Sequence, residues 1–140
     1  MDGKQAYEQQ HSRSWARIDM LLALYEYGIR TAAAGVEAVR SGNDQQLAHH
    51  RCKMQRVIVE LLDGLDMSVT ETSEPIQRLL HFIASSVTTD SPKNWEACRS
   101  ILESLRDGFQ QVRDDAVRFE EESTLTEHHA RQSQSVSTLA

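Results

Sequence analysis

Apolar residues recur along the chain in alternating steps of three and four, which is the spacing of one face of a helix. The first such row lies between Ser14 and Arg40, and Ser14 is a plausible N-cap. Its members are Ile18, Leu22, Tyr25, Ile29, Ala32, Val36 and Val39. The turn-forming segment SGND, residues 41–44, ends this predicted helix and supplies the cap of the next one.

Three further apolar rows predict three further helices. The second helix is predicted from about Asp44 to Leu65, and the third from Pro75, a residue favoured in a first turn. The fourth follows a Ser91-Pro92 cap. The three core rows are Leu47, Met54, Ile58, Leu61 and Leu65; Ile76, Leu79, Leu80, Ile83 and Val87; and Trp95, Cys98, Leu102, Leu105, Phe109, Val112, Ala116 and Phe119. Strand-like alternation is absent, so the predicted fold class is all-α.

The connections between the predicted helices are short, which favours antiparallel neighbours. We therefore expect an antiparallel up-down four-helix bundle over residues 14–122. Apart from Met1, residues 1–13 contain only Ala6 and Tyr7 as apolar candidates, and they form a predicted N-terminal arm. From Ser123 onward the chain is rich in Ser, Thr, Gln and His, so residues 123–140 are predicted to be a disordered tail.

Charge and composition narrow the class of protein. The net charge of −6 argues against a nucleic-acid or anionic-membrane binder, because both need clustered Lys and Arg. No apolar run approaches the ~20 residues of a membrane span, and no signal peptide is recognisable. The two cysteines, Cys52 and Cys98, fit reduced thiols. We expect a cytoplasmic protein with no nucleic-acid partner and no membrane insertion.

The histidines and cysteines do not form a recognisable catalytic or metal site. His49 and Cys52 are one helical turn apart and could form half a zinc site, but no second pair completes it in the predicted bundle. The Glu-x-x-His pairs of di-iron bundles are missing from the predicted helices. His81 lies between core positions, where a haem ligand would be badly placed. We expect no enzyme activity, no cofactor and no metal.

A histidine phosphotransfer domain is an alternative, since it is also a four-helix bundle with an exposed reactive histidine. The segment HFIASS, residues 81–86, is loosely similar to its motif. Ala84 stands where a lysine should polarise the phosphoryl group, and Ser85 stands where a glycine should clear space for it. A second alternative is a structural helical bundle that dimerises.

The first two helices carry more apolar surface than one bundle contact needs. A second group beside the core row of the second helix consists of Ala48, Cys52, Val59 and Leu62. The two rows together span roughly 220°, against ~100° for one contact. On the first helix, Tyr25 belongs to the core row, whereas Tyr27 projects to nearly the opposite side with Leu24 nearby. Such faces suggest a groove for an amphipathic partner segment; the arm around Tyr7 or a second copy of the chain could also cover them.

The segment KMQRVIVELLDGLDM, Lys53 to Met67, has the form Lys-x-Gln-x-(Ile/Val)-(Ile/Val)-x-Glu-Leu-x-x-x-Leu-Asp. It resembles the most specific stretch of the FliS family of flagellar export chaperones. The segment LYEY, residues 24–27, is similar to that family's Leu-Tyr-Asp-Gly. The Ala6-Tyr7 pair and LRDGF, residues 105–109, are also similar to family segments. The resemblance covers about residues 6–120.

Three departures accompany this resemblance. The family's Ala-Ser-Pro-x-Glu-Leu entry to the first helix is replaced by WARIDM, residues 15–20. His81 and Phe82 stand in place of a usual tyrosine, and Tyr27 occupies the family's glycine position. Tyr27 is therefore expected either to narrow the cargo groove or to fill a contact of its own, and Gly28 beside it is expected to restore part of the close helix approach.

The resemblance implies a non-enzymatic chaperone of the bacterial cytosol. Such a protein binds the C-terminal segment of flagellin, prevents premature polymerisation and supports delivery to the flagellar type III export apparatus, whose export gate is a further expected partner. The expected partner contacts are Tyr7, Leu24, Tyr27, Ala48, Cys52, Gln55, Val59 and Leu62. Tyr7 is expected to cover part of this surface until cargo displaces it. The chain itself is expected to be a monomer or a weak homodimer.

Overall fold

The computed structural model describes the backbone of residues 3–139 and the side chains of residues 16–133. This part of the chain consists of four α-helices and contains no strand. The helices are α1 (Gly3–Arg40), α2 (Asp44–Asp63), α3 (Thr70–Ser86) and α4 (Pro92–Leu139). The all-α prediction is confirmed. Within the described residues, no helix is both long enough and apolar enough to cross a membrane.

The chain divides between Asp107 and Gly108 into two compact units. The core of the first unit takes large side chains from all four helices, and Tyr25, Met54, Leu80 and Trp95 are each at most 1% exposed. These residues all belong to the predicted core rows. The rows omit Val57, which is buried as well, and they include Leu79, which is exposed. In the second unit the row is largely at the surface, since Val112 and Phe119 are exposed.

Glycines allow α4 to approach α1 closely within the first unit. A Cβ on Gly35 would lie 2.2 Å from Cε3 of Trp95, so the indole ring occupies the space that a larger residue would need. At Gly28 a Cβ would lie 3.2 Å from Cδ1 of Leu102 and 3.3 Å from Cγ1 of Val57. The close approach expected at Gly28 is therefore confirmed.

The connection between α1 and α2 matches the prediction. Gly42 has a φ of 68°, a left-handed conformation that favours glycine. The side chain of Asn43 accepts a hydrogen bond of 3.1 Å from the backbone N–H of Gln46, which is the contact of an N-cap.

The start of α3 differs from the prediction. The helix begins at Thr70 rather than Pro75, which lies inside it. Because proline has no N–H, it costs the helix one backbone hydrogen bond. The turn before it is held by Ser73, whose hydroxyl donates to the carbonyl oxygen of Asp66 at 2.5 Å and whose N–H donates to that of Val69 at 3.0 Å. Proline therefore does not mark this helix start.

Helical backbone extends beyond the predicted bundle at both ends. α1 begins at Gly3, ahead of the predicted cap at Ser14, and α4 continues to Leu139. The side chains of residues 121–133 are all exposed. Tyr7 lies outside the described side chains. The predicted division into an arm, a bundle and a tail stays a prediction.

Candidate partner-binding site

The second apolar group predicted on α2 reaches the surface. We call these four residues the α2 outer row: Ala48, Cys52, Val59 and Leu62. Ala48 and Cys52 are exposed, Val59 is 56% exposed and Leu62 is half-buried. Its neighbours Val57, Ile58 and Leu61 are buried, so the helix is apolar on both its core side and this outward side. An exposed row of this kind is a surface that a partner helix can cover.

Gln55, the one polar residue among the predicted contacts, is tied to α3. Its side-chain Nε2 donates a hydrogen bond of 2.8 Å to the carbonyl oxygen of Ala84, and the residue is half-buried. One turn earlier, Nε of Arg51 donates to the carbonyl oxygen of Val87 at 2.6 Å, and its Nη2 lies 2.8 Å from Oδ1 of Asp90. The carbonyls at a helix end have no intrahelical donor. These two side chains therefore fasten α2 to the C-terminal end of α3.

Leu24 and Tyr27 lie at a different place from the α2 outer row. They line a cavity of about 270 Å³ between α1 and α2, which we call the α1–α2 groove. The other residues that line it are Lys53, Arg56, Val57 and Glu60. Val57 and Val59 are two residues apart on α2, so they face nearly opposite directions. The predicted contacts with described side chains thus form two surfaces rather than one.

Tyr27 makes a contact of its own inside the α1–α2 groove. Nζ of Lys53 lies 5.9 Å from the centroid of the Tyr27 ring, at the outer range of a cation–π interaction. The ring is 39% exposed. Lys53 and Arg56 were not among the contacts predicted from the sequence. The available signal was their position on α2, because Lys53 lies one turn before Val57 and Arg56 lies directly before it.

Burial shifts the pKa values of two core side chains and of the half-buried His50 towards their neutral forms. Burial raises the pKa of Tyr25 to about 12 and the pKa of the Cys98 thiol to about 11. The pKa of His50 is lowered by burial and then by the charges of Lys53 and His49. Among the described residues, no group of three or more His, Cys, Asp or Glu side chains converges as a metal site requires.

The described part of the chain is thus an all-helical protein with an apolar row exposed on α2. A family model described as Flagellar protein FliS matches residues 1–116. The chain belongs to the FliS family, whose members are flagellar export chaperones rather than enzymes. Chaperone activity, flagellin binding and flagellum biogenesis are the functions of that family. Neither the curated proteins nor the solved structures contain a match to the chain.

Proposed function

We propose that this protein binds the C-terminal segment of flagellin in the bacterial cytosol, prevents its premature polymerisation and supports its delivery to the flagellar type III export apparatus. The family match over residues 1–116 carries this proposal. The export gate is a further proposed partner. The free chaperone is proposed to be a monomer or a weak homodimer, in which Tyr7 covers part of the cargo surface until flagellin displaces it.

The α2 outer row supports the proposal on physical grounds. A chaperone that prevents polymerisation has to cover the apolar surface that its cargo buries in the filament. Covering an exposed valine such as Val59 is worth about 1.5–3 kcal/mol if burial is complete, and the residue is 56% exposed in the free chain. An amphipathic helix laid along this row would bury Val59 and Cys52 together.

We also propose that the four helices run up and down as an antiparallel bundle. Two ion pairs support this orientation, because Glu26 is 2.9 Å from Arg106 whereas Arg40, further along α1, is 2.9 Å from Glu96. The hydrogen bonds between α2 and α3 follow the same reversed order. Such a bundle would present the α2 outer row along one side of the molecule.

Co-purification with flagellin tests the proposed function directly. We expect full-length flagellin to co-elute with the chaperone in a stoichiometric complex, and we expect flagellin without its C-terminal segment to be lost from that complex. Equal binding of both forms, or binding of neither, would contradict the proposal.

The variant Val59→Asp tests whether the α2 outer row makes the contact. A carboxylate in a covered apolar interface is left without a partner, so we expect flagellin affinity to fall about tenfold or more. The matched control is Val112→Asp, since Val112 is also 56% exposed and lies within a helix, α4. Both variants should keep the wild-type circular dichroism spectrum. Equal affinities for the two variants would remove Val59 from the cargo surface.

A further inference from the structure

We propose that the α1–α2 groove selects a cargo segment in which a carboxylate lies about one helical turn from an apolar side chain. The inference rests on the proposed function and adds a chemical requirement to it. The apolar side chain would lie against Leu24 and Val57, and the carboxylate would lie beside Lys53 and Arg56. This charged subsite in the α1–α2 groove is distinct from the apolar contact that the α2 outer row provides.

The cations of this groove differ from several arginines of the first unit that are engaged in ion pairs. Arg40, Arg51 and Arg106 each contact a carboxylate on another helix or in the loop before α4, at 2.8–2.9 Å. Among the described residues, Arg56 has no carboxylate within ion-pair distance, although Glu60 is one turn away on the same helix. The groove thus places Arg56 and Lys53 beside the apolar side chains of Leu24 and Val57.

The ring of Tyr27 lies near one of the two cations of the groove. Nζ of Lys53 lies 5.9 Å from the Tyr27 ring centroid, and an ammonium in that position still has donors directed to solvent. An incoming carboxylate can therefore accept a hydrogen bond from Lys53 and pair with Arg56 without breaking an existing ion pair. Because no existing pair has to be broken, the net gain of the new contact is larger than in an exchange of partners.

Glu60 makes the two ends of the groove electrostatically different. It lines the same cavity as Lys53 and Arg56 but carries the opposite charge. A cargo carboxylate next to Glu60 would be repelled, whereas one beside the two cations would be attracted. The preferred cargo segment therefore presents its acidic group at the Lys53 end of the groove, away from Glu60.

Charge reversal at Arg56 tests the inference, with full-length flagellin as the probe. We expect Arg56→Glu to weaken flagellin binding by about three- to tenfold at low salt, because attraction is replaced by repulsion at an exposed contact. The difference from the wild type should shrink at high salt, since surface charges are screened beyond about 10 Å at 0.1 M. The matched control is Arg78→Glu, an exposed arginine on α3 outside the groove, and it should change the affinity less than twofold.

The outcomes separate the inference from the proposed function. If wild-type chaperone does not bind flagellin by titration calorimetry, both are wrong. If it binds flagellin and Arg56→Glu binds equally well, the charged subsite is wrong and the proposed function stands. If Arg56→Glu changes only the self-association seen by size-exclusion chromatography, the groove receives a second copy of the chain and the inference is overturned. Selective loss of affinity in Arg56→Glu with the wild-type circular dichroism spectrum supports it.

Discussion

The two cysteines occupy opposite environments, and their reactivity should differ accordingly. Cys52 is exposed in the α2 outer row, whereas Cys98 is completely buried in α4. Burial raises the pKa of the Cys98 thiol to about 11. The thiolate is the reactive form, and a thiol with this pKa is ionised to only about one part in a thousand at pH 8. The native protein should therefore react rapidly at one thiol and slowly at the other.

Titration with a chromogenic disulfide reagent at pH 8 checks this prediction. We expect one fast-reacting thiol per native chain and two after unfolding in guanidinium. The variant Cys52→Ser should lack the fast phase, and Cys98→Ser should keep it. Two fast thiols in the native protein would mean that the packing around Cys98 opens readily.

Single residues show what the hydrophobic pattern can and cannot predict. Tyr25 and Tyr27 are two positions apart, and the helical period alone assigned one to the core and the other to the opposite side. Val57 was missed because it borders the core row of α2 within a run of three branched apolar residues. The contact between Lys53 and Tyr27 joins two helices, and a single-sequence pattern contains no information on such pairs.

At the level of helices, Gln55 has two possible roles: it holds α2 against α3, or it contacts the cargo. Its hydrogen bond to Ala84 fastens α2 to α3. We expect Gln55→Ala to lower the free energy of unfolding by about 1 kcal/mol, the usual net value of such a bond. Urea denaturation measures this change. Flagellin affinity at a temperature well below the transition should stay within about twofold of the wild type.

The conservative variant Gln55→Glu provides the control for this prediction. A carboxylate cannot donate to the Ala84 carbonyl oxygen, so this variant should lose at least as much stability as Gln55→Ala. A large loss of flagellin affinity in Gln55→Ala without a loss of stability would instead make Gln55 a cargo contact.

The start of α2, where a side chain makes the N-cap hydrogen bond, was predicted from the sequence. The start of α3, where no side chain makes such a bond, was missed. Asn43 starts α2 through its side chain, and the sequence identified this turn. The N-cap of α3 is Val69, which has no side-chain cap hydrogen bond, and the supporting bond comes from Ser73 to a carbonyl seven residues earlier. Such a bond depends on how the loop folds back, so the preference of proline for a first turn pointed to Pro75 instead.

For the whole molecule, the family match and the exposure of the C-terminal side chains both set residues 123–140 apart from the rest of the chain. The match to the FliS family ends at residue 116, and every described side chain from residue 121 to residue 133 is exposed. A segment whose side chains are all exposed contributes little apolar burial to stability. Residues 123–140 should therefore be dispensable for folding and for flagellin binding.

Removing residues 123–140 tests this division and also the predicted disorder of the tail. We expect the truncated protein to keep the wild-type midpoint of thermal unfolding and the wild-type affinity for flagellin.

The helical circular dichroism signal per molecule shows whether the tail is helical or disordered in the full-length protein. It should fall in proportion to the residues removed if the helix α4 persists to Leu139 in solution, as its backbone indicates. It should stay unchanged if the composition rich in Ser, Thr, Gln and His prevails, because an isolated solvated helix of this kind gains little from packing. A lower unfolding midpoint would instead show that the tail stabilises the chaperone through contacts beyond its own helix.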